Sequence, residues 1–204
     1  MHASPVPGTE GYADNAGQLI TRYAGVIAAD KYKVVSHLLP RRAGAVLDIG
    51  AGTGADSAWL ASLGHKVVAV EPVAAFREAG MQAHASPDIE WVDDSLPALS
   101  VMTARETRFD LVVLAAVWMH LAAEERSAAM ENIGQLLKPG ALLVMSLRHG
   151  PAPENRRIFD VSASETIALA ARHHLKVVLS AQAPSVQQQN RHAGVSWSWL
   201  VFQR

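Results

Sequence analysis

Apolar residues recur at helical spacing from Leu19 through Tyr23, Val26 and Ile27, and Val34, Val35, Leu38 and Leu39 continue the stripe. Pro40 and Gly44 end it, so one helix or two precede the first strand. From there the pattern changes. Short apolar runs bounded by Gly, Pro or polar residues read as buried strands at Ala45 to Ile49, Lys66 to Val70, Ile89 to Val92, Asp110 to Ala116, Ala141 to Leu147, Lys176 to Ser180 and Val195 to Phe202. Between them, helices are predicted over Gly54 to Leu63, Val73 to Gln82, Pro97 to Arg105, Ala122 to Leu137 and Ser164 to His173. Gly64 and the run Lys138-Pro139-Gly140 are stop signals. Met1 to about Ala16 reads as a flexible arm, His149 to Arg157 as a polar loop, and Gln182 to Arg191 as a mobile loop. Strands alternating with helices predict βαβ units in an α/β fold with a mostly parallel sheet, covered by helices on both faces.

Composition narrows this. At 204 residues the chain suits one domain, and 50% hydrophobic content supplies a full core. The 18 basic and 19 acidic side chains nearly cancel, which disfavours nucleic acid as a partner. There is no cysteine, so disulfides, thiolate metal sites and cysteine nucleophiles are excluded. No His, Asp and Glu spacing suggests a metal site. The N-terminus lacks a signal-peptide core, and no apolar run reaches the roughly 18 residues of a membrane span. The expectation is a soluble cytoplasmic protein with no membrane partner.

The most informative segment is Val46-Leu47-Asp48-Ile49-Gly50-Ala51-Gly52-Thr53-Gly54, which joins a strand to a helix. Gly50 and Gly52 allow a sharp turn and a close ligand approach. Glu71, about twenty residues on, ends the second strand, where a carboxylate accepts hydrogen bonds from both hydroxyls of a ribose. Loop and acid together point to an adenosine-containing cofactor. The loop also fits Gly50-x-Gly52-x-x-Ala55, a dinucleotide pattern, so an NAD(P)-dependent oxidoreductase is a rival. Asp48 argues for a cationic cofactor: two residues before Gly50, it suits an ammonium group and repels a pyrophosphate. The Tyr-x-x-x-Lys pair of short-chain oxidoreductases is absent. Tyr12, Tyr23 and Tyr32 are followed at that spacing by Ala16, Ile27 and Ser36.

Here the sequence resembles the class I, seven-strand, Rossmann-like family of S-adenosylmethionine-dependent methyltransferases. Val46 to Gly54 resembles its first motif and Glu71-Pro72 its second. Asp93-Asp94-Ser95-Leu96-Pro97 resembles the loop beside the adenine, Phe109 to Val113 the fourth strand, and Leu136 to Ala141 the turn before the fifth. The resemblance implies a doubly wound, mostly parallel seven-stranded sheet ordered 3-2-1-4-5-7-6 with the last strand antiparallel. It implies S-adenosylmethionine as cofactor and S-adenosylhomocysteine as product. The cofactor residues carried over are Asp48, Gly50, Ala51, Gly52, Gly54, Glu71, Pro72, Asp94, Ser95, Ala115 and Val117. After the arm, residues 17–204 form one domain, with a helical lid at 17–43, a cofactor core at 45–147 and a substrate-side half at 148–204. Ala115-Ala116-Val117-Trp118 departs from the polar-Pro-Pro-aromatic motif of amino-methylating DNA enzymes, which leaves a small-molecule methyl acceptor as the expected partner.

His120 follows the fourth strand at the carboxyl edge and is the first candidate for a general base or an acceptor-positioning group. Arg148, ending the fifth strand, is the second, as a clamp for an acceptor carboxylate or phosphate; pairing with Glu154 is the alternative. Arg191 and His192 are weaker candidates. Tyr12 belongs to a segment that lids the cofactor in this family, and Tyr23 reads as core. Trp118, Trp197 and Trp199 are candidates for an aromatic-acceptor pocket; Trp197 and Trp199 share one strand face and read equally as core, and His65, His173 and His174 read as surface. A domain that binds S-adenosylmethionine without turnover stays open beside the enzyme.

Overall fold

The computed structural model describes residues 6–204. The first five residues of the predicted arm lie outside the described residues. Two helices open the chain, α1 (Ala16–Tyr23) and α2 (Ala28–Tyr32), followed by a 3-10 turn at Ser36–Leu38. Seven strands then alternate with helices: β1 (Ala45–Ile49), α3 (Ala55–Ser62), β2 (Lys66–Val70), α4 (Ala74–Ala83), β3 (Ile89–Val92), α5 (Ser100–Thr103), β4 (Phe109–Ala115), α6 (Ala123–Leu136), β5 (Leu137–His149), α7 (Ala163–Arg172), β6 (Lys176–Pro184), α8 (Gln188–His192) and β7 (Ser196–Gln203). They form one sheet ordered β3-β2-β1-β4-β5-β7-β6. Pairings are parallel from β3 through β5, and β7 runs antiparallel to both neighbours. This is the seven-strand order expected from the sequence.

The apolar runs are continuous because the central strands are buried on both faces. Val46, Leu111 and Val113 point to one side with Val67, Leu60 and Tyr32. Leu47, Ile49, Val112 and Leu114 point to the other with Ile133, Leu136 and Leu169. Successive side chains on a strand alternate faces, so a run without polar interruption fills two cores at once. The parallel order reverses between β1 and β4, which opens a crevice at their carboxyl ends.

Three local expectations are corrected. The stop signal Lys138-Pro139-Gly140 ends α6, but the chain enters β5 at once, where Leu137 pairs with Phe109 and Lys138 binds the Asp110 carboxylate at 2.8 Å. The predicted mobile loop from Gln182 is partly regular: β6 continues to Pro184 and α8 follows. β6 lies at the sheet edge and pairs only with β7, so its residues need not be apolar to hold register. His65 is buried rather than at the surface, and its Nδ1 accepts the Gly44 N–H at 3.2 Å. No helix among the described residues is long and apolar enough to cross a membrane.

Candidate active site

The crevice holds a cavity of about 550 Å³, within the roughly 300–1,000 Å³ typical of small-molecule sites. One end is built by loops that follow β1, β2 and β3. Gly50 and Ala51 donate their N–H groups to the Val70 carbonyl at 2.8 and 3.0 Å, folding the β1–α3 loop back onto β2. Gly50 has φ +72°, and a Cβ there would lie 2.4 Å from Val117 Cγ2, so only glycine lets this loop touch the turn after β4. Gly52 has φ +56°, lines the cavity, and its missing Cβ faces open space.

Glu71 ties these loops together. Its Oε2 accepts the Gly52 N–H at 2.8 Å and its Oε1 accepts the Val73 N–H at 2.9 Å. The side chain is only 6% exposed, and burial pushes its carboxyl above the usual range against the pull of those two donors. Asp94 spends its carboxylate locally, with Oδ1 on the Ser95 N–H and Oδ2 on the Val101 and Met102 N–H groups, which fixes the start of α5. Asp94, Ser95 and Leu96 line the cavity next to Pro72.

Asp48 and Gly54 do not reach the cavity wall. Gly54 precedes α3 and packs against the Trp91 ring. Asp48 is 1% exposed beneath the glycine loop, where Ser57 donates to it at 2.6 Å. Burial, together with the nearby Asp56 carboxylate, pushes its carboxyl up to about 7. Asp56 does line the cavity; it pairs with Lys31 and accepts the Tyr32 hydroxyl at 3.0 Å. Lys31 and Asp56 were not singled out in the sequence, where they read as ordinary helix polar residues.

The other end is assembled from distant segments. His120 lies in a 3-10 turn after β4, and Arg148 ends β5. His120 Nδ1 lies 2.7 Å from the Arg157 carbonyl, which can only accept, so Nδ1 carries the proton. Its Nε2 then accepts the Tyr12 hydroxyl at 3.0 Å. Burial lowers the His120 pKa below the ordinary imidazole value, and it raises that of Tyr12 to about 12, so the bonded pair is neutral at pH 7. Tyr12 also stands edge-on to Phe76 of α4, with centroids 6.1 Å apart, and both line the cavity. Val6 to Thr9 and Tyr12 of the predicted arm thus line the site. Arg156, from the polar loop, sits over the Tyr12 ring at 4.4 Å. It was missed in the sequence because nothing local marks it.

The remaining candidates divide. Arg148 donates to the Gly150 carbonyl at 3.1 Å, and no ion pair with Glu154 forms among the described residues. Ala115, Val117, Trp197, Trp199 and Tyr23 line the cavity. Trp118 does not: its turn directs it into the core on the α6 side, fully buried, with its indole N–H unpartnered among the described residues. Arg191 is spent on the Ser185 and Val186 carbonyls. No group of three His, Asp or Glu side chains among the described residues could hold a metal ion.

This geometry agrees with what the chain matches. The family model described as "Methyltransferase domain" matches residues 46–140, the span from β1 to the start of β5. Residues 46–140 thus resemble a methyltransferase domain in sequence. No protein of curated function matches the sequence significantly. Among solved structures, the chain is similar in fold to a TehB-like SAM-dependent methyltransferase from Corynebacterium glutamicum, at 24% identity and TM-score 0.70, covering 95% of this chain and 98% of that one. It is similar also to 1,6-didemethyltoxoflavin-N1-methyltransferase from Burkholderia thailandensis with bound 1,6-didemethyltoxoflavin and S-adenosylhomocysteine, at 18% identity and TM-score 0.69, covering 100% and 93%. The N-methyltransferase NodS from Bradyrhizobium japonicum, in complex with S-adenosylhomocysteine, aligns at 18% identity and TM-score 0.68, covering 94% and 99%. Outside the matched residues, the N-terminal segment and β6 and β7 also contribute lining to the cavity, through Tyr12, Tyr23, Ala183 and Trp197 among others.

Proposed function

We propose that the chain is an S-adenosylmethionine-dependent methyltransferase acting on a small molecule. The Glu71 carboxylate carries the reading. It is buried at the end of β2 and oriented by two backbone N–H groups, which leaves acceptor lone pairs for the two hydroxyls of a ribose. Gly52 leaves room beside it. Asp48, raised to about 7, and Asp56, paired with Lys31, lie beneath the loop, a setting that suits a cationic cofactor better than a pyrophosphate. The NAD(P) reading therefore loses support. The S-adenosylhomocysteine held by the toxoflavin enzyme and by NodS is consistent with this assignment.

S-adenosylmethionine supplies a methyl group on a sulfonium centre already activated for displacement. The protein's task is then alignment and exclusion of water, and positioning alone supplies roughly 7–11 kcal/mol. Gly50, Ala51 and Gly52 back the cofactor, Glu71 holds its ribose, Pro72, Asp94 and Ser95 flank its adenine, and Ala115 and Val117 border its methionine. Asp94 contributes mainly through backbone and shape, since its carboxylate is committed to α5. Tyr12 and its segment cover the mouth. His120 accepts a proton at Nε2, relayed by the Tyr12 hydroxyl, and Arg148 positions the acceptor.

Calorimetric titration with S-adenosylmethionine, S-adenosylhomocysteine and NADH tests the assignment. Micromolar binding of the first two and none of the third is expected. Binding of NADH without S-adenosylhomocysteine would overturn it. Release of S-adenosylhomocysteine with an acceptor separates an enzyme from a binding-only domain.

A further inference from the structure

Two half-buried arginines of the cavity form no ion pair among the described residues. Arg148 and Arg156 both line it and both are half-buried. Among the described residues, neither reaches a carboxylate. The contrast with their neighbour is direct: Arg157 pairs with Glu125 at 3.0 Å. Arg148 keeps one bond to the Gly150 carbonyl, and Arg156 packs over the Tyr12 ring with its Nη1 3.5 Å from the hydroxyl. Both arginines line the same cavity, and burial together with the Arg156 charge lowers the Arg148 pKa. The acid on the covering segment, Glu10, is exposed and takes the Gly8 N–H at 2.7 Å; its charge is felt at His120, but it forms no ion pair with either arginine.

Like charges brought together in a partly desolvated cleft, without a counter-ion, oppose folding. They persist at functional sites because a ligand relieves them. We propose that Arg148 and Arg156, with the Tyr12 hydroxyl between them and His120, form a subsite for the anionic head of the methyl acceptor, a small organic carboxylate or phosphate monoester. The guanidinium fork matches both head groups. Met119, Ile158 and Trp197 offer the apolar wall for the rest of the molecule. The acceptor is then amphipathic: anionic at one end, apolar in its body. This rests on the methyltransferase reading, but the anion subsite is measurable without turnover.

The test uses benzoate, phenylphosphonate and neutral benzamide as probes, titrated into the full chain with and without S-adenosylhomocysteine. At least one anion is expected to bind about tenfold or more tighter than benzamide, the worth of one charge-assisted contact. The tighter of the two names the head group. Arg148→Met and Arg156→Met should each erase that preference while S-adenosylhomocysteine affinity stays within about twofold. Without added anion, Arg148→Met should melt at or above the parent temperature, since it removes an uncompensated cation. Benzamide binding as tightly as both anions, no anion binding at millimolar concentration, or anion preference surviving in both variants overturns the subsite. A lower melting temperature for Arg148→Met makes that arginine structural and overturns it too. Failure of S-adenosylhomocysteine to bind the parent protein sinks the cofactor reading instead and leaves the anion comparison to be judged separately.

Discussion

The two ends of the cavity are built by different means. The cofactor end is made of backbone and of acids fixed by backbone: Glu71 on the Gly52 and Val73 N–H groups, Asp94 on those of Ser95, Val101 and Met102. The end proposed for the acceptor is made of side chains carried from far apart. Tyr12 meets His120 across 108 residues and Arg156 across 144. A backbone cradle accepts a fixed ligand and changes little when side chains change. A side-chain cluster can be rebuilt around a new acceptor without disturbing the cradle. Their charges differ as well, with carboxylates gathered at one end and guanidiniums at the other.

Gly50 is the seam between the ends, so its substitution should have the largest effect. Gly50→Ala places a Cβ against Val117 and holds alanine at φ +72°. Left-handed strain and overpacking together should cost roughly 2–5 kcal/mol of stability. Pushing Val117 aside also displaces the turn that carries His120, so affinity for S-adenosylhomocysteine and turnover should both fall by on the order of a hundredfold. Thermal melting and calorimetry read the two. Normal binding in a destabilised protein would mean that the ends are not mechanically joined here.

His120 separates them. For an acceptor that must lose a proton, His120→Ala should lower kcat by about a hundredfold or more, the usual worth of a general base, with cofactor affinity nearly unchanged. Burial lowers the His120 pKa, so the neutral base persists below the ordinary imidazole value. Activity should therefore hold at pH 6.5 and fall only at more acid pH. Stability has the same sign: a depressed histidine pKa contributes stability above its unfolded value, and this is lost as pH falls through the folded one. Equal loss of cofactor binding and turnover in the variant would make His120 a structural strut for Tyr12.

Glu71 probes the cradle alone. Glu71→Ala leaves the Gly52 and Val73 N–H groups without their partner and removes the ribose acceptor. Affinity should fall by roughly tenfold to a hundredfold, from about 1–3 kcal/mol. Benzoate binding at the far end should be untouched. Loss of both would show that the ends are coupled through the Gly50 loop.

The same division explains what was legible in the sequence. The strand order and the cradle were, because each depends on short stretches: an apolar run, a turn, an acid some twenty residues on. Boundaries shifted where pairing outweighed pattern, as at Leu137 and along β6 on the sheet edge. Arg156 was invisible because an arginine in a polar loop looks solvated until Tyr12 is laid beneath it. Trp118 misled for the opposite reason. Its place after β4 suggested the pocket, but the 3-10 turn rotates it into the core and presents His120 instead. Asp48 shows the limit of spacing: two residues before Gly50 it is near the ligand, but on β1 that interval places it below the loop, held by Ser57.

Asp48 gives the smallest expected effect on binding and the sharpest contrast in pH. Its carboxyl is raised to about 7, from 3.8. An acid with a raised folded pKa lends stability while protonated in both states, and loses it as pH rises through the folded value. The window is thus about 4 to 7, and its slope is opposite to that of His120. Asp48→Asn keeps an acceptor for the Ser57 hydroxyl and removes the charge. Above pH 7 the variant should melt higher than the parent, by at most a few kcal/mol in stability, the two curves converging near pH 4. Cofactor affinity should move the other way, weakening by about two- to fivefold at pH 7.5, because Asp48 acts through the field and not by contact. A charge that lowers stability yet strengthens binding is held for the ligand. If Asp48→Asn left affinity unchanged across pH 6 to 8, the negative field beneath the loop would belong to Asp56 alone, and Asp48 would be a fold residue that happens to lie under a cofactor.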